Sequence, residues 1–365
     1  MAVAPVRDSW FLVLRVLHVI GGMPGNGTER QLAGMLRAAH GRRWEALLLV
    51  LRGGDDLSRQ LADAGVPVRE LPPTTDFDPR RAFALRRLVR SGDYDVIHSS
   101  LWGTNLVTRL AAIGRRRPAI VVSERSVEDF RSRSGRVLDH ALRTLTDRYI
   151  GNSADVGAFI SRAHAVDPSV VAVIPNGLDR TVFNCEGRTA SGSPPWKIGC
   201  VGRLIREKGF DLMIAALPEV LRARDVELHI AGRGPLLEEL ETAAAGLPVH
   251  FRGFLSQPAD VARFLRELDL FVMPSRWEGL PNAVLEAIAC GTPVVATDAP
   301  GVAEAAAGQA TLVASEDIHG LAGAVIASLA DPRPPSDAAI NSFDDVAVGH
   351  LAVFEAALGQ RRGRG

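Results

Sequence analysis

At 365 residues the chain is too long for one ordinary hydrophobic core, so two domains or one large α/β unit are expected. Its 47% hydrophobic, 23% charged and 5% aromatic residues suit a soluble globular protein. A formal net charge of zero supplies no overall field for nucleic acid or an anionic surface, so any basic attraction is local. All but two of the 42 basic residues are arginines, which makes the placement of the lysines, Lys197 and Lys208, unusually informative. Cys185, Cys200 and Cys290 are far apart, odd in number and without metal-ligand spacing. They read as reduced thiols of a cytoplasmic protein with no metal site and no cofactor.

The chain opens with an apolar run at 10–20 (WFLVLRVLHVI) that carries Arg15 and His18 and ends in Gly21-Gly22. This is a buried strand rather than a signal peptide, and no later run reaches membrane-spanning length. Strands follow the pattern at 12–20, 45–51, 66–71, 96–98, 119–123, 148–152 and 171–174, with helices at 29–39, 57–64, 79–90 and 134–145 between them. Residues 179–196 (DRTVFNCEGRTASGSPPW) are polar and aperiodic and read as a linker. The alternation then restarts, with strands at 197–201, 227–231, 249–252, 269–274, 293–297 and 311–313. Residues 343–358 give a last amphipathic helix, packing back towards the first domain, before an RRGRG tail.

Continuous apolar strands separated by helices predict doubly wound parallel sheets. The expected fold class is α/β, with a first domain over 1–178 and a second over 197–342. Ligand clefts then lie at the carboxyl ends of the strands, where two such domains can face each other.

The chemistry concentrates in the second domain. VGRLIREKG, over 201–209, directly follows a strand and precedes a helix. Gly202 lets backbone approach a ligand, the helix start presents free N–H groups, and Arg203 and Lys208 add two charges. A diphosphate fits this set, Arg as a bidentate fork and Lys as a point charge; a solvated loop is the bland alternative. SRWEGLPNAVLE, over 275–286, again follows a strand. It puts Glu278 on a loop, Gly279, Leu280, Pro281 and Asn282 at a second helix start, and Glu286 inside that helix. A loop carboxylate can accept from sugar hydroxyls and a helical one from a ribose diol, although Glu286 also fits a helix-dipole role. The turns at Gly232 (IAGRGP) and at Arg252-Gly253-Phe254 line the same edge and are assigned to the nucleotide base.

Together these residues resemble the retaining glycosyltransferases of family four, whose GT-B fold pairs two facing Rossmann-like domains. The resemblance is carried by Gly202-Arg203-Leu204 with Glu207-Lys208-Gly209, by Glu278 and Glu286 eight residues apart, by Ile174-Pro175-Asn176-Gly177, and by Gly21-Gly22 with Gly27-Thr28-Glu29-Arg30. It implies a hexose or N-acetylhexosamine transferase using a nucleotide-diphosphate sugar, with UDP favoured by the Gly-Leu-Pro-Asn after Glu278. It further implies that Arg203 and Lys208 hold the diphosphate, Glu278 the sugar and Glu286 the ribose. Gly21 and Gly22 would border the diphosphate, and His98 would face the sugar across the cleft. His98, Glu278, Arg203 and Lys208 form the expected catalytic set, with retention of configuration and no metal. The acceptor falls to Asn26, Trp102, Asn105, Glu124 and Arg125, a pattern that fits a glycan, a lipid-linked or a small-molecule acceptor. Two departures stand out: Ser100 where the family often has a second histidine, and Gly25-Asn26-Gly27 where two adjacent glycines are usual. A UDP-sugar epimerase of the same fold and a non-catalytic nucleotide-binding relative are the alternatives.

Other signals carry less. Asp93-Tyr94-Asp95 matches a metal-binding DxD but precedes its strand, the wrong end for a parallel-sheet site. Gly22, Gly25 and Gly27 miss the dinucleotide spacing. Arg125, Arg131, Arg133, Arg136, Arg143 and Arg148 suggest peripheral contact with an anionic membrane at the inner face of the plasma membrane. The interleaved Glu128, Asp129, Asp139 and Asp147 suit a solvated face equally.

Overall fold

The computed structural model describes residues 13–72, 79–91, 93–114, 118–127, 132–336 and 340–362 (backbone alone at 79–81 and 362). Residues 10–12 of the opening apolar run, Glu128, Asp129, Arg131 and the end of the tail lie outside them. All thirteen predicted strands form. The first sheet comprises β1 (Arg15–Ile20), β2 (Glu45–Val50), β3 (Val68–Glu70), β4 (Val96–Ser100), β5 (Ala119–Ser123), β6 (Arg148–Gly151) and β7 (Val171–Val173). The second comprises β8 (Trp196–Val201), β9 (Val226–Ala231), β10 (Val249–Gly253), β11 (Leu270–Met273), β12 (Val294–Thr297) and β13 (Ala310–Val313). Their orders are β3-β2-β1-β4-β5-β6-β7 and β10-β9-β8-β11-β12-β13, with parallel pairing throughout. Each sheet reverses direction beside its first strand, the switch point at which doubly wound sheets open a crevice. β4 and β5 are buried along their whole length, β5 as an almost wholly apolar run and β4 with His98, Ser99 and Ser100 buried after Val96-Ile97.

The stretch 179–195 is not a free linker. Leu178 and Phe183 enter the core of the second domain. Arg266 donates to the carbonyls of Val182 and Asn184 at 2.7 and 2.9 Å, and Arg188 to Leu268 O and Thr292 Oγ1 at 3.0 and 2.9 Å. Polar composition signalled the lack of regular structure but not the arginines that pin it down. The final helix, Phe343–Arg362, packs on the first domain, where Val346, Ala347, Val353, Phe354 and Ala357 join Val16, Ile20, Leu32 and Leu36 in one core.

That core holds a polar chain. Trp44 Nε1 donates to His18 Nε2 at 3.1 Å, and His18 Nδ1 meets His98 Nδ1 at 3.0 Å. His98 Nε2 in turn reaches Ser123 Oγ at 2.7 Å. An indole N–H can only donate, so the relay fixes His18 as the Nδ1–H tautomer and His98 as the Nε2–H tautomer, both neutral. His350 of the last helix stacks edge-on against His98 and donates from Nδ1 to Val346 O at 2.8 Å. Burial pushes His18 and His350 down to about 3, and His98 well below its usual value. The Asp93-Tyr94-Asp95 triplet sits at the amino end of β4, where Asp95 accepts from Arg15 N at 2.9 Å, as its position in the sequence implies.

Neutral buried histidines tie stability to pH. The unfolded chain protonates His18 and His350 below about pH 6.5 and the native state does not until about 3, so stability falls as pH drops through that window, by up to about 1.4 kcal/mol per pH unit for each of the two. His350→Leu keeps the packing and removes one such group. Urea melts at pH 7 and pH 5 should show a smaller loss for the variant than for wild type; equal losses would mean His350 is protonated in the native state.

Candidate functional site

The carboxyl ends of both sheets face one cleft of about 440 Å³, lined from the first domain by Gly25 to Gln31, Leu101, Arg125, Ser126, Asn152 and Asn176. The second domain contributes Gly202, Arg203, Glu207, Lys208, Gly232, Arg233, Phe254 and the run Trp277–Asn282 with Glu286. The volume is in the range of small-ligand sites.

The two loops recognised in the sequence meet here. Lys208 Nζ lies 2.5 Å from Glu278 Oε1, and Ser275 Oγ donates to the same oxygen at 2.7 Å. Both partners are largely withdrawn from water, with side chains 18% and 10% exposed, so the pair is stronger than a surface salt bridge. Arg203 is exposed at the rim, and its guanidinium makes no hydrogen bond or ion pair among the described residues. Gly209, at φ 63°, lets the loop turn into helix Phe210–Ala223; a Cβ there would lie 1.9 Å from Pro274 O.

Arg276 is a residue that motif reading passed over. It grips Asp211 bidentately at 2.8 and 2.7 Å, Glu316 at 2.5 Å and the carbonyl of Arg206 at 2.8 Å, while its own N–H donates to Glu207 O at 2.8 Å. It thereby fixes the Arg206–Lys208 turn against the Glu278 loop. The sequence held it inside the same motif, but its partners lie 40 to 70 residues away.

Three helices begin at the cleft: Gly27–Ala39, Phe210–Ala223 and Asn282–Ala289. Their free N–H groups favour anions. Glu29, 5% exposed, bonds back to the backbone of Asn26, which makes it a capping-box residue of the first of these helices. Its carboxyl is raised by burial, and this is opposed in part by nearby Arg203.

The two domains are joined by amides. Asn176 Nδ2 donates to Asn282 Oδ1 at 2.7 Å and to Leu280 O at 2.9 Å. Gln31 Nε2 donates to Gly177 O and Asn282 Oδ1 at 2.8 and 3.2 Å, and Gln31 Oε1 accepts from Gly177 N at 2.9 Å. Arg30 spans the gap to Ser256 O at 2.9 Å, and Asp155 accepts from Gly301 N at 2.8 Å. At the closest point Gly279 abuts Arg125, where a Cβ would lie 1.9 Å from its carbonyl oxygen.

The remaining sequence candidates divide. Asn26, Arg125, Gly232 and Phe254 line the cleft, with Arg233 stacked 4.1 Å over the Phe254 ring. His98 does not; mid-strand and 1% exposed, it belongs to the core relay and faces no ligand. Gly21 and Gly22 stand behind the wall, because Asp55 ties the loop down through Met23 N at 2.6 Å, and Gly25 to Gln31 form the surface instead. Trp102 donates to Asp139 at 2.9 Å, Asn105 is buried between Ser99 and Ser123 O, and Glu124, 1% exposed, faces His164. Arg252 and Gly253 end β10 away from the cleft lining.

Glu286 sits in the floor, partly buried, its carboxyl pushed by desolvation up to about 7 against the opposing charge of Arg30. A raised carboxylate gives the folded state its proton up to about pH 7, while the unfolded chain releases it near 4.5. This group therefore lowers stability as pH rises across that interval. Glu286→Gln should lose less melting temperature than wild type between pH 5 and pH 8; identical slopes would place the carboxylate in water. Gly279→Ala has no room for its methyl unless the domains part. Small-angle scattering should then give a radius of gyration about 1 Å larger than the ~21 Å of a compact chain of this length. An unchanged radius would mean that the contact is loose.

Comparison with known proteins matches residues 25–182 to the family model Glycosyltransferase Family 4 and residues 195–331 to Glycosyl transferases group 1. The GDP-mannose-dependent alpha-(1-6)-phosphatidylinositol monomannoside mannosyltransferase of Mycolicibacterium smegmatis is 32% identical over 315 residues, 77% of this chain and 80% of that protein. The lipopolysaccharide core biosynthesis mannosyltransferase LpsB of Rhizobium meliloti is 35% identical over 44% of this chain and 51% of its own length. Among solved structures, Anabaena Alr3699/HepE in complex with UDP and glucose superposes with a TM-score of 0.74 at 18% identity, covering 96% of this chain and 98% of that one. The lipopolysaccharide outer core galactosyltransferase WaaB in its apo form gives 0.69 at 14% identity, over 95% and 100%. At these identities the structural likeness is one of fold.

Proposed function

The chain belongs to glycosyltransferase family 4, with the GT-B fold, and from that premise we propose that it moves a hexose from a nucleoside-diphosphate sugar to an acceptor hydroxyl with retention of configuration and without a metal ion. The observation that carries this reading is the convergence of Arg203, Lys208 and Glu278 with three helix starts on one interdomain cleft. The diphosphate sits between Arg203, Lys208 and the N–H groups of Gly279, Leu280 and Asn282, which offset charge on the leaving group as its bond to the sugar breaks. Lys208 exchanges Glu278 for the diphosphate, and the freed carboxylate accepts from sugar hydroxyls. Glu286 accepts from the ribose diol, and the base lies against Phe254 and Arg233. The acceptor hydroxyl attacks on the face that the diphosphate leaves, and its proton passes to the departing phosphate oxygen, so no protein nucleophile is required. His98 has no part in this, being sealed in the core.

Two bases have support. The Gly-Leu-Pro-Asn loop favours UDP, and the printed name of the Mycolicibacterium relative favours GDP-mannose. No helix among the described residues is long and apolar enough to cross a membrane. Exposed Phe83 and Val137, the latter on the Arg133–Leu142 helix with exposed Arg133 and Arg136, support peripheral contact with an anionic bilayer and hence a lipid-borne acceptor.

A thermal-shift screen of GDP-mannose, UDP-hexoses, UDP-N-acetylhexosamines and ADP-sugars should raise the melting temperature for one base and not the others. Arg203→Ala should cost about 2–5 kcal/mol of donor or transition-state binding, and proton NMR of the product should show the anomeric configuration of the donor. Nucleotide affinity and turnover within twofold of wild type in Arg203→Ala would move the diphosphate elsewhere.

A further inference from the structure

Five cations line the cleft: Arg203 and Lys208 are assigned to the diphosphate, Arg233 stacks on Phe254, and Arg30 is held by the carbonyls of Gly25, Leu255 and Ser256, which leaves Arg125. Arg125 directly follows β5, at the ligand end of the first sheet, and lines the wall with Ser126, Asn152 and Asn176. Arg203 and Lys208 belong to the opposite domain. The Arg125 guanidinium has no carboxylate partner among the described residues. Its Nη1 donates to the neutral Asn176 Oδ1 at 3.2 Å, and its Nε is sealed from water with nothing to donate to. The buried groups on which its charge bears, His98 and His350, are neutral. Burial alone pulls Arg125 down to about 10, whereas a facing carboxylate would raise it.

A guanidinium desolvated without a counterion costs several kcal/mol, and the backbone holds it in place through the tight approach of Gly279 to its carbonyl. Such a fork is built to bind an oxyanion bidentately. We propose that the acceptor is itself anionic, and that a phosphate or carboxylate near its reacting hydroxyl seats on Arg125. This rests on the transferase reading, with the donor diphosphate held by Arg203 and Lys208. The anion would enter last, after the donor has filled the second-domain side, and would close the charge balance of the assembled cleft.

The test uses the whole chain saturated with whichever of GDP or UDP raises its melting temperature, so that the donor diphosphate site is already filled. Inorganic phosphate is then titrated by calorimetry, with acetate as the carboxylate arm. The expected result is a saturable second binding event for phosphate, acetate or both, weakened at least tenfold in Arg125→Gln and retained in Arg125→Lys, with nucleotide affinity within twofold of wild type. Ser126→Asp, which supplies an internal carboxylate and leaves Arg125 in place, should abolish the event as well, and it serves if Arg125→Gln does not fold. Binding of neither anion to the nucleotide-saturated wild type overturns the proposal. So does an Arg125→Gln protein that loses nucleotide affinity tenfold while anion binding persists, since Arg125 would then serve the donor. A protein whose melting temperature no nucleoside diphosphate raises overturns both this proposal and the transferase reading.

Discussion

The site exists because a few neutral amides hold two sheets face to face. Asn176 and Gln31 donate across the cleft to Asn282 Oδ1, Asn176 also to Leu280 O, and Gln31 is itself fixed by a paired bond to the Gly177 backbone, since each amide can donate and accept at once. Amides suit this place better than an ion pair. A buried salt bridge between the domains would pay a large desolvation cost and resist reopening, whereas each amide bond is worth about 0.5–1.5 kcal/mol net. The contact is firm enough to align Gly279 against Arg125 and weak enough for a bound donor to rearrange. Asn282 also begins a helix whose N-terminus lines the cleft, so the contact between the domains and the placing of that helix start depend on one residue.

Charge is divided between the halves accordingly. The second domain supplies exposed Arg203 and the Lys208–Glu278 pair, with Arg276 bracing the loops that carry them. The first domain offers backbone N–H groups, amides, Arg30 held on main-chain carbonyls, and Arg125 with no carboxylate partner among the described residues, backed by histidines that burial keeps neutral. Were His98 and His350 charged, they would repel Arg125 and the domains would carry like charge into the same gap. The aromatic lid of Trp44 and Phe354 over these imidazoles therefore does electrostatic as well as packing work.

Much of this was legible in the sequence. Apolar runs gave every strand, because parallel sheets bury both faces and leave an unmistakable pattern. Arg203, Lys208 and Glu278 were readable since each lies on a loop after a strand, and Glu286 since it lies inside the helix that follows such a loop. His98 was misread for a local reason: the strand ends at Ser100, not at residue 98, so the histidine sits mid-strand beside His18 rather than at the ligand edge. Trp102, Asn105 and Glu124 lie at the right height but turn into the first domain towards Asp139, Ser123 and His164. Periodicity cannot tell a loop side chain facing a cleft from one facing the core. Arg276 and Gln31 escaped notice because their roles come from partners distant in sequence, which no local pattern records.

The return of the Phe343–Arg362 helix to the first sheet makes the second domain, in effect, an insertion in the first. On the ribosome, residues 196–331 form a contiguous unit able to collapse as soon as they emerge. The first seven strands must wait for the last twenty residues of helix before Trp44 and His18 are covered and their core is shut. The amino-terminal half of this chain thus finishes folding after the carboxyl-terminal half, in the reverse of the order in which they are made. Loss of the Phe343–Arg362 helix would strike the beginning of the protein.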